Sequence, residues 1–219
     1  MNEVVYFGSM FSKDGRYEMD VERRIAAGNK VNGALAALMS LRNVSTASRL
    51  AVHNAVLVPT LLYGSETWVL QKKNERKMNA VEMQSLRRIC GVSLADQIRN
   101  EEVHKMAGTS EDVTVRMKKN VLSWFGRVER MSDKRMAKKI YDGKVSGKRG
   151  RGRPRLTFEN TVSKTLEEGH VKSMRTSRRA CMKKLMTVDE AKEVCRDRSV
   201  RRSVLSDYPA RDKREAKLS

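Results

Sequence analysis

Val113, Met117, Val121, Trp124, Val128 and Met131 step along the chain by four, four, three, four and three residues. That spacing returns an apolar side chain to one side of an α-helix at every turn and fits no strand period, so it predicts an amphipathic helix. The other faces of that helix carry Arg116, Lys118, Lys119, Arg127 and Arg130. Downstream, the run Gly147–Arg155 (GKRGRGRPR) combines cationic side chains with glycines and a proline that cannot sustain a helix. A cationic helical face leading into a cationic extended arm is the layout around which the rest of the chain has to fold.

Within the arm, Arg151-Gly152-Arg153-Pro154 has the arrangement of an AT-hook core. Glycine lets the backbone lie close to a groove floor, proline keeps it extended, and the flanking arginines suit a narrow, electronegative minor groove. The competing reading is a solvated flexible linker. Charge favours the first. The formal net charge is +20 and the sequence pI near 10.2, which makes nucleic acid, as RNA, DNA or both, the leading partner. Residues 1–100 hold 14 Lys/Arg against 9 Asp/Glu, whereas residues 116–155 alone hold 15 against 3. Candidate phosphate contacts are therefore the five helical cations named above together with Lys148, Arg149, Arg151, Arg153 and Arg155. Binding through them is expected to be salt-dependent and weakly sequence-selective. The same basic run reads as a nuclear import signal.

Composition sets the remaining bounds. With 39% hydrophobic but only 5% aromatic residues, and 33% charged, helices with modest cores are expected. No apolar run is long enough for a membrane span or a secretory signal, so an intracellular chain is expected, with no membrane partner. Cys90, Cys181 and Cys195 lack metal-ligand spacing and are odd in number, arguing against both a disulfide framework and a zinc site.

The fold expected is mainly α behind a short N-terminal β-hairpin over residues 1–18. Val4–Phe11 is rich in β-formers and is followed by the turn pair Asp14-Gly15. Helical periodicity runs from Met19 to Leu41, weakened by Gly28 and Gly33. Ser45 is placed to cap a second helix that Pro59 interrupts, Asn74 to cap a third that Gly91 ends, and Asn100 to open a short one stopped by Gly108. Phe158, Val162 and Leu166 predict a helix ending at Gly169. Thr187 and Glu190 form a capping box for a last helix to about Leu205. Residues 207–219 read as a disordered tail.

Several blocks, in order, carry a resemblance: Tyr6-Phe7-Gly8-Ser9, Asp14-Gly15, DVERRI over 20–25, LLYGSETW over 61–68, LRRICGV over 86–92, Asn100-Glu101-Glu102, WFGRVERM over 124–131 and KRGRGRPR over 148–155. Together they resemble the C-terminal part of LINE-like non-LTR retrotransposon polyproteins. The resemblance implies that residues 1–18 are the end of a reverse-transcriptase palm and 19–92 a helical thumb-like region. It further implies that 93–142 are a helical basic extension, while the residues themselves set off 143–155 as a flexible arm and 156–206 as C-terminal helices. Tyr63, Gly64, Glu66 and Trp68 mark the most specific block. Core packing that fixes the thumb is the favoured role for Tyr63 and Trp68, and an arginine partner is expected for Glu66. Phe7, Arg127 and Phe158 depart from the family's usual Leu, His and Trp.

No catalytic residue, metal or cofactor is expected. Two-metal phosphoryl transfer needs adjacent palm carboxylates, and the chain has no Asp-Asp pair. Gly143–Arg149 is one residue short of a P-loop and lacks its Ser or Thr. His53, His104 and His170 read as structural, with no Ser or Cys partner that spacing would bring to His53. Phe125, off the centre of the apolar stripe, is a candidate for stacking on a base, whereas Trp124 reads as core. Two functional classes remain: a catalytically incomplete reverse-transcriptase fragment that binds nucleic acid, and a protein-interaction module or non-functional translated transposon fragment.

Overall fold

The computed structural model describes residues 3–12, 17–41, 43–69, 71–109, 111–143, 156–171, 185–206 and 208–209. The architecture is mainly α behind one two-stranded antiparallel sheet. It forms two compact units, Met1–Met117 and Lys118–Ser219.

The first unit opens with the hairpin β1 (Glu3–Tyr6) and β2 (Ser9–Ser12), paired Val4 to Phe11 and Tyr6 to Ser9. Its turn is Phe7-Gly8, at φ 45° and 76°, not the expected Asp14-Gly15, which lies outside the described residues. Two successive left-handed residues match the twist of a two-residue hairpin, a conformation that glycine takes freely and phenylalanine only when held.

Helix α1 (Glu18–Ala34) is followed at Leu35 by the short α2 (Ala36–Ser40). Gly28 is buried where α1 crosses its neighbours: a Cβ there would stand 2.5 Å from Leu61 Cδ2 and 3.1 Å from Val81 Cγ1. The glycine thus permits the close packing that its poor helix propensity would otherwise oppose. Ser45 caps α3 (Thr46–Val52) as expected, its Oγ accepting the Ser48 amide at 3.1 Å. Pro59 does not interrupt the segment. The chain widens into a π-turn over His53–Leu57 and continues as α4 (Val58–Leu62), the longer-range ladder accommodating a proline that cannot donate.

Helix α5 (Lys72–Cys90) supplies the centre of the core through Met78, Val81, Met83, Leu86 and Ile89. Val103 and Ala107 of α6 (Asn100–Ala107) join Met83, Leu86, Ile89 and Met39 in one cluster. Gly91 and Gly108 end the two helices in the left-handed conformation, at φ 70° and 74°. Helix α7 (Val113–Glu129) begins in this unit and buries Val113 and Met117.

In the second unit, α7 buries Val121, Leu122, Phe125 and Val128. It is followed by α8 (Met136–Asp142), which the sequence reading did not foresee, and α9 (Phe158–Glu168), capped by Thr157 and Asn160. The last expected helix is two, α10 (Val188–Arg196) and α11 (Arg198–Ser206). The Asp197 carboxylate between them accepts the Ser199 and Val200 amides at 2.7 and 3.3 Å, which starts a new helix rather than continuing the old one. Thr187 and Glu190 form the expected capping box of α10. Among the described residues no helix is long and apolar enough to cross a membrane.

Candidate nucleic-acid interface

The block Leu61–Trp68 builds a joint between the hairpin and the helices. Gly64 sits at φ 77°, and a Cβ on it would meet Ser9 Oγ at 3.0 Å, so both conformation and space require glycine. That bend sends Tyr63 and Trp68 to different parts of the same joint. The Tyr63 hydroxyl donates to the Phe7 carbonyl at 2.8 Å, with the Arg24 guanidinium 4.5 Å from its ring centroid. Arg24 Nη2 also donates to the Gly8 carbonyl. Trp68 is buried and its indole N–H donates to Asp20 Oδ2 at 3.1 Å, while Asp20 Oδ1 accepts the Met10 amide at 2.9 Å. The strained Phe7-Gly8 turn is therefore gripped from outside, and Asp20, buried at 3% exposure, has donors on both oxygens. Glu66 is half-buried, and no arginine pairs with it among the described residues.

Many arginines serve the fold. Arg88 Nη1 donates to the Asn32 carbonyl at 2.7 Å, and Arg87 Nη2 to the Ile98 carbonyl and Asn100 Oδ1 at 2.8 and 2.9 Å. Arg49 Nη1 reaches the Met39 carbonyl at 2.8 Å. Each fork ties a carbonyl to a neighbouring element, something a flexible lysine does less well.

The five helical cations divide in the same way. Arg116 is half-buried and donates to Asn54 Oδ1 at 2.9 Å. Lys118 is 2.7 Å from the Glu168 carboxylate. Arg130 Nη1 donates to the Cys195 carbonyl at 2.9 Å. Lys119 is half-buried, and Arg127 is exposed. The expectation of one uniform cationic face thus gives way to a mixture of internal tethers and exposed charge. Exposed Lys134, Arg135 and Lys139 follow on the loop and α8. Lys148, Arg149, Arg151, Arg153 and Arg155 lie outside the described residues. Phe125 requires correction: at 1% exposure its ring cannot stack on a base, whereas Trp124, placed in the core by the periodicity, is half-buried. Residues 121, 125 and 128 are also spaced by four and three, and that row is the one the fold buries.

One polar cluster was not legible in spacing. His53 Nδ1 lies 2.9 Å from Ser85 Oγ, across 32 residues, and His53 Nε2 lies 3.9 Å from Glu82 Oε1. Glu82 Oε2 accepts the Val113 amide at 2.8 Å, placing a carboxylate at the positive end of α7. His53 therefore does have a serine partner. All three residues are at most 2% exposed, so the arrangement closes a buried hydrogen-bond network and offers no substrate a way in. Among the described residues no three His, Cys, Asp or Glu side chains stand together as metal ligands.

The second unit holds its helices with ion pairs. Lys138, 8% exposed, contacts Glu129 at 3.0 Å and Asp142 at 3.5 Å, and Lys192 contacts Glu159 at 3.1 Å. Burial, and then the nearby Glu129 carboxylate, holds the Tyr141 phenol well above its ordinary range. Burial pushes the Cys195 thiol up to about 11.

The chain is similar to an uncharacterised transposon-derived protein of Caenorhabditis elegans, with 25% identity over 140 residues, covering 62% of this chain and 49% of that protein. The chain thus spans about half the length of this relative, and the likeness supports a transposon origin. No protein-family model and no solved structure matches it.

Proposed function

We propose that this chain is a catalytically incomplete derivative of a non-LTR retrotransposon reverse transcriptase, and that its retained activity is electrostatic binding of nucleic acid. The observation that carries the reading is the excess of 15 Lys/Arg over 3 Asp/Glu in residues 116–155, with Arg127, Lys134, Arg135 and Lys139 exposed. Transposon likeness supports the lineage, and the ordered blocks supply its finer assignment. Exposed cations would neutralise backbone phosphates, while Arg149, Arg151, Arg153 and Arg155 would follow a backbone or minor groove. No polymerase step is assigned, because the chain has no Asp-Asp pair of the kind that holds the two catalytic metals in a palm. The basic run makes the nucleus the proposed compartment.

The test is fluorescence anisotropy with matched AT-rich duplex, GC-rich duplex and single-stranded RNA across a salt series, for the native chain and for Arg151→Ala/Arg153→Ala. Steeply salt-dependent binding supports the proposal, and an AT preference lost in the double variant assigns the arm to the minor groove. Absence of binding at physiological salt refutes it.

A further inference from the structure

A groove of about 660 Å³ runs along α5 beneath the loop that joins it to α6. Its floor is apolar, formed by Ala80, Met83 and Val92, and Leu94 stands at the rim with 80% of its surface exposed. Arg76, Arg87 and Arg88 line it, and no carboxylate does. Asp96 on the adjoining loop is turned to Ser93, accepting its amide at 2.6 Å and its hydroxyl at 3.0 Å.

These features ask for one kind of ligand. The arginines call for negative charge, and the floor and Leu94 for aliphatic side chains. A phosphodiester backbone brings only the first. A protein segment with carboxylates flanking an apolar anchor brings both. We propose that this groove docks a short acidic, leucine-bearing segment of a partner protein. Arg76 is the peripheral steering charge, Arg87 and Arg88 are the inner ones, and Leu94 closes over the anchor. This site is separate from the cationic stretch over residues 116–155 and does not depend on its binding nucleic acid.

The probe is a fluorescein-labelled amphipathic helical peptide with leucines at i and i+4 flanked by glutamates. It is compared with the same peptide carrying lysines for glutamates and with one carrying serines for leucines. Anisotropy is read on the full chain and on Arg76→Glu, Leu94→Asp and Lys30→Glu; all three positions are exposed, and circular dichroism checks that the fold is kept. Only the acidic leucine peptide should bind. Arg76→Glu and Leu94→Asp should each weaken it at least about tenfold, whereas Lys30→Glu, the same charge change on α1, should leave it within about twofold. Arg151→Ala/Arg153→Ala should leave it unchanged, which separates this site from the nucleic-acid reading. The proposal is overturned by absence of binding, by equal binding of the serine peptide, or by Lys30→Glu matching Arg76→Glu. Displacement by a single-stranded oligonucleotide whose own affinity falls in Leu94→Asp would assign the groove to nucleic acid and overturn it too.

Discussion

The Trp68 indole donates to the Asp20 carboxylate at 3.1 Å across 48 residues of sequence. The other Asp20 oxygen accepts the Met10 amide, so one buried side chain joins the second strand, the first helix and the bend after α4. Asp20→Ala would leave two donors without an acceptor, and a loss of about 2–4 kcal/mol is expected. Asp20→Asn, keeping one oxygen, should cost less. Urea unfolding followed by tryptophan fluorescence checks both, and a loss below about 0.5 kcal/mol for Asp20→Ala would show the joint to be unimportant.

Two glycines of α1 should respond with opposite signs. Gly28→Ala gains helix propensity of about 1 kcal/mol but drives a methyl into Leu61 and Val81, so a net loss of about 1–2 kcal/mol is expected. Gly33 has nothing within 4 Å of its would-be Cβ. Gly33→Ala should therefore stabilise by about 0.5–1 kcal/mol. Urea midpoints of the two variants, measured side by side, decide the matter.

Cations that look alike in composition should separate in binding. Arg127→Ala should lower the slope of log K against log salt by about 0.9 on duplex DNA while leaving stability unchanged. Arg116→Ala, which removes the bond to Asn54, should instead lower the thermal midpoint. The opposite pattern would contradict the division between tethering and exposed charge.

Alkylation of Cys195 reads the second unit directly. Raised from 9.0 to about 11 by burial, the thiol should carry roughly a hundredfold less thiolate at neutral pH than an ordinary cysteine. Its labelling rate should climb with pH up to that value. Because the folded state keeps its proton where the unfolded state has lost it, this group lowers stability as pH rises from about 9 to 11. Peptide-resolved mass spectrometry after a pH series of iodoacetamide pulses would show the lag, and labelling as fast as in urea would exclude it.

The elements that could be read from sequence are those with local causes. Ser45, Gly91, Gly108 and the Thr187 capping box end or begin helices through bonds within a few residues. Features set by distant partners were not legible. Asp14-Gly15 has the better turn composition, yet the turn forms at Phe7-Gly8, where Tyr63 and Arg24 hold two carbonyls. Pro59 signals a break only in a helix that cannot widen, and here it widens. His53 meets Ser85 through the packing of α5, which no spacing rule encodes. As for the candidate interface, charge can be counted along a sequence, but whether an arginine holds a carbonyl or faces water is settled by tertiary structure.

The grip on the Phe7-Gly8 turn also bears on the order in which the chain is made. The two strands leave the ribosome before the helices that hold them, but an isolated hairpin is marginal in water. The side chains that secure it, Arg24, Tyr63 and Trp68, are synthesised later, and Tyr63 follows Phe7 by 56 residues. For that interval the paired strands lack the bonds that pin their turn. A nascent chain stalled before Trp68 should therefore be cut by protease within the hairpin, and protection should appear once the joint is complete.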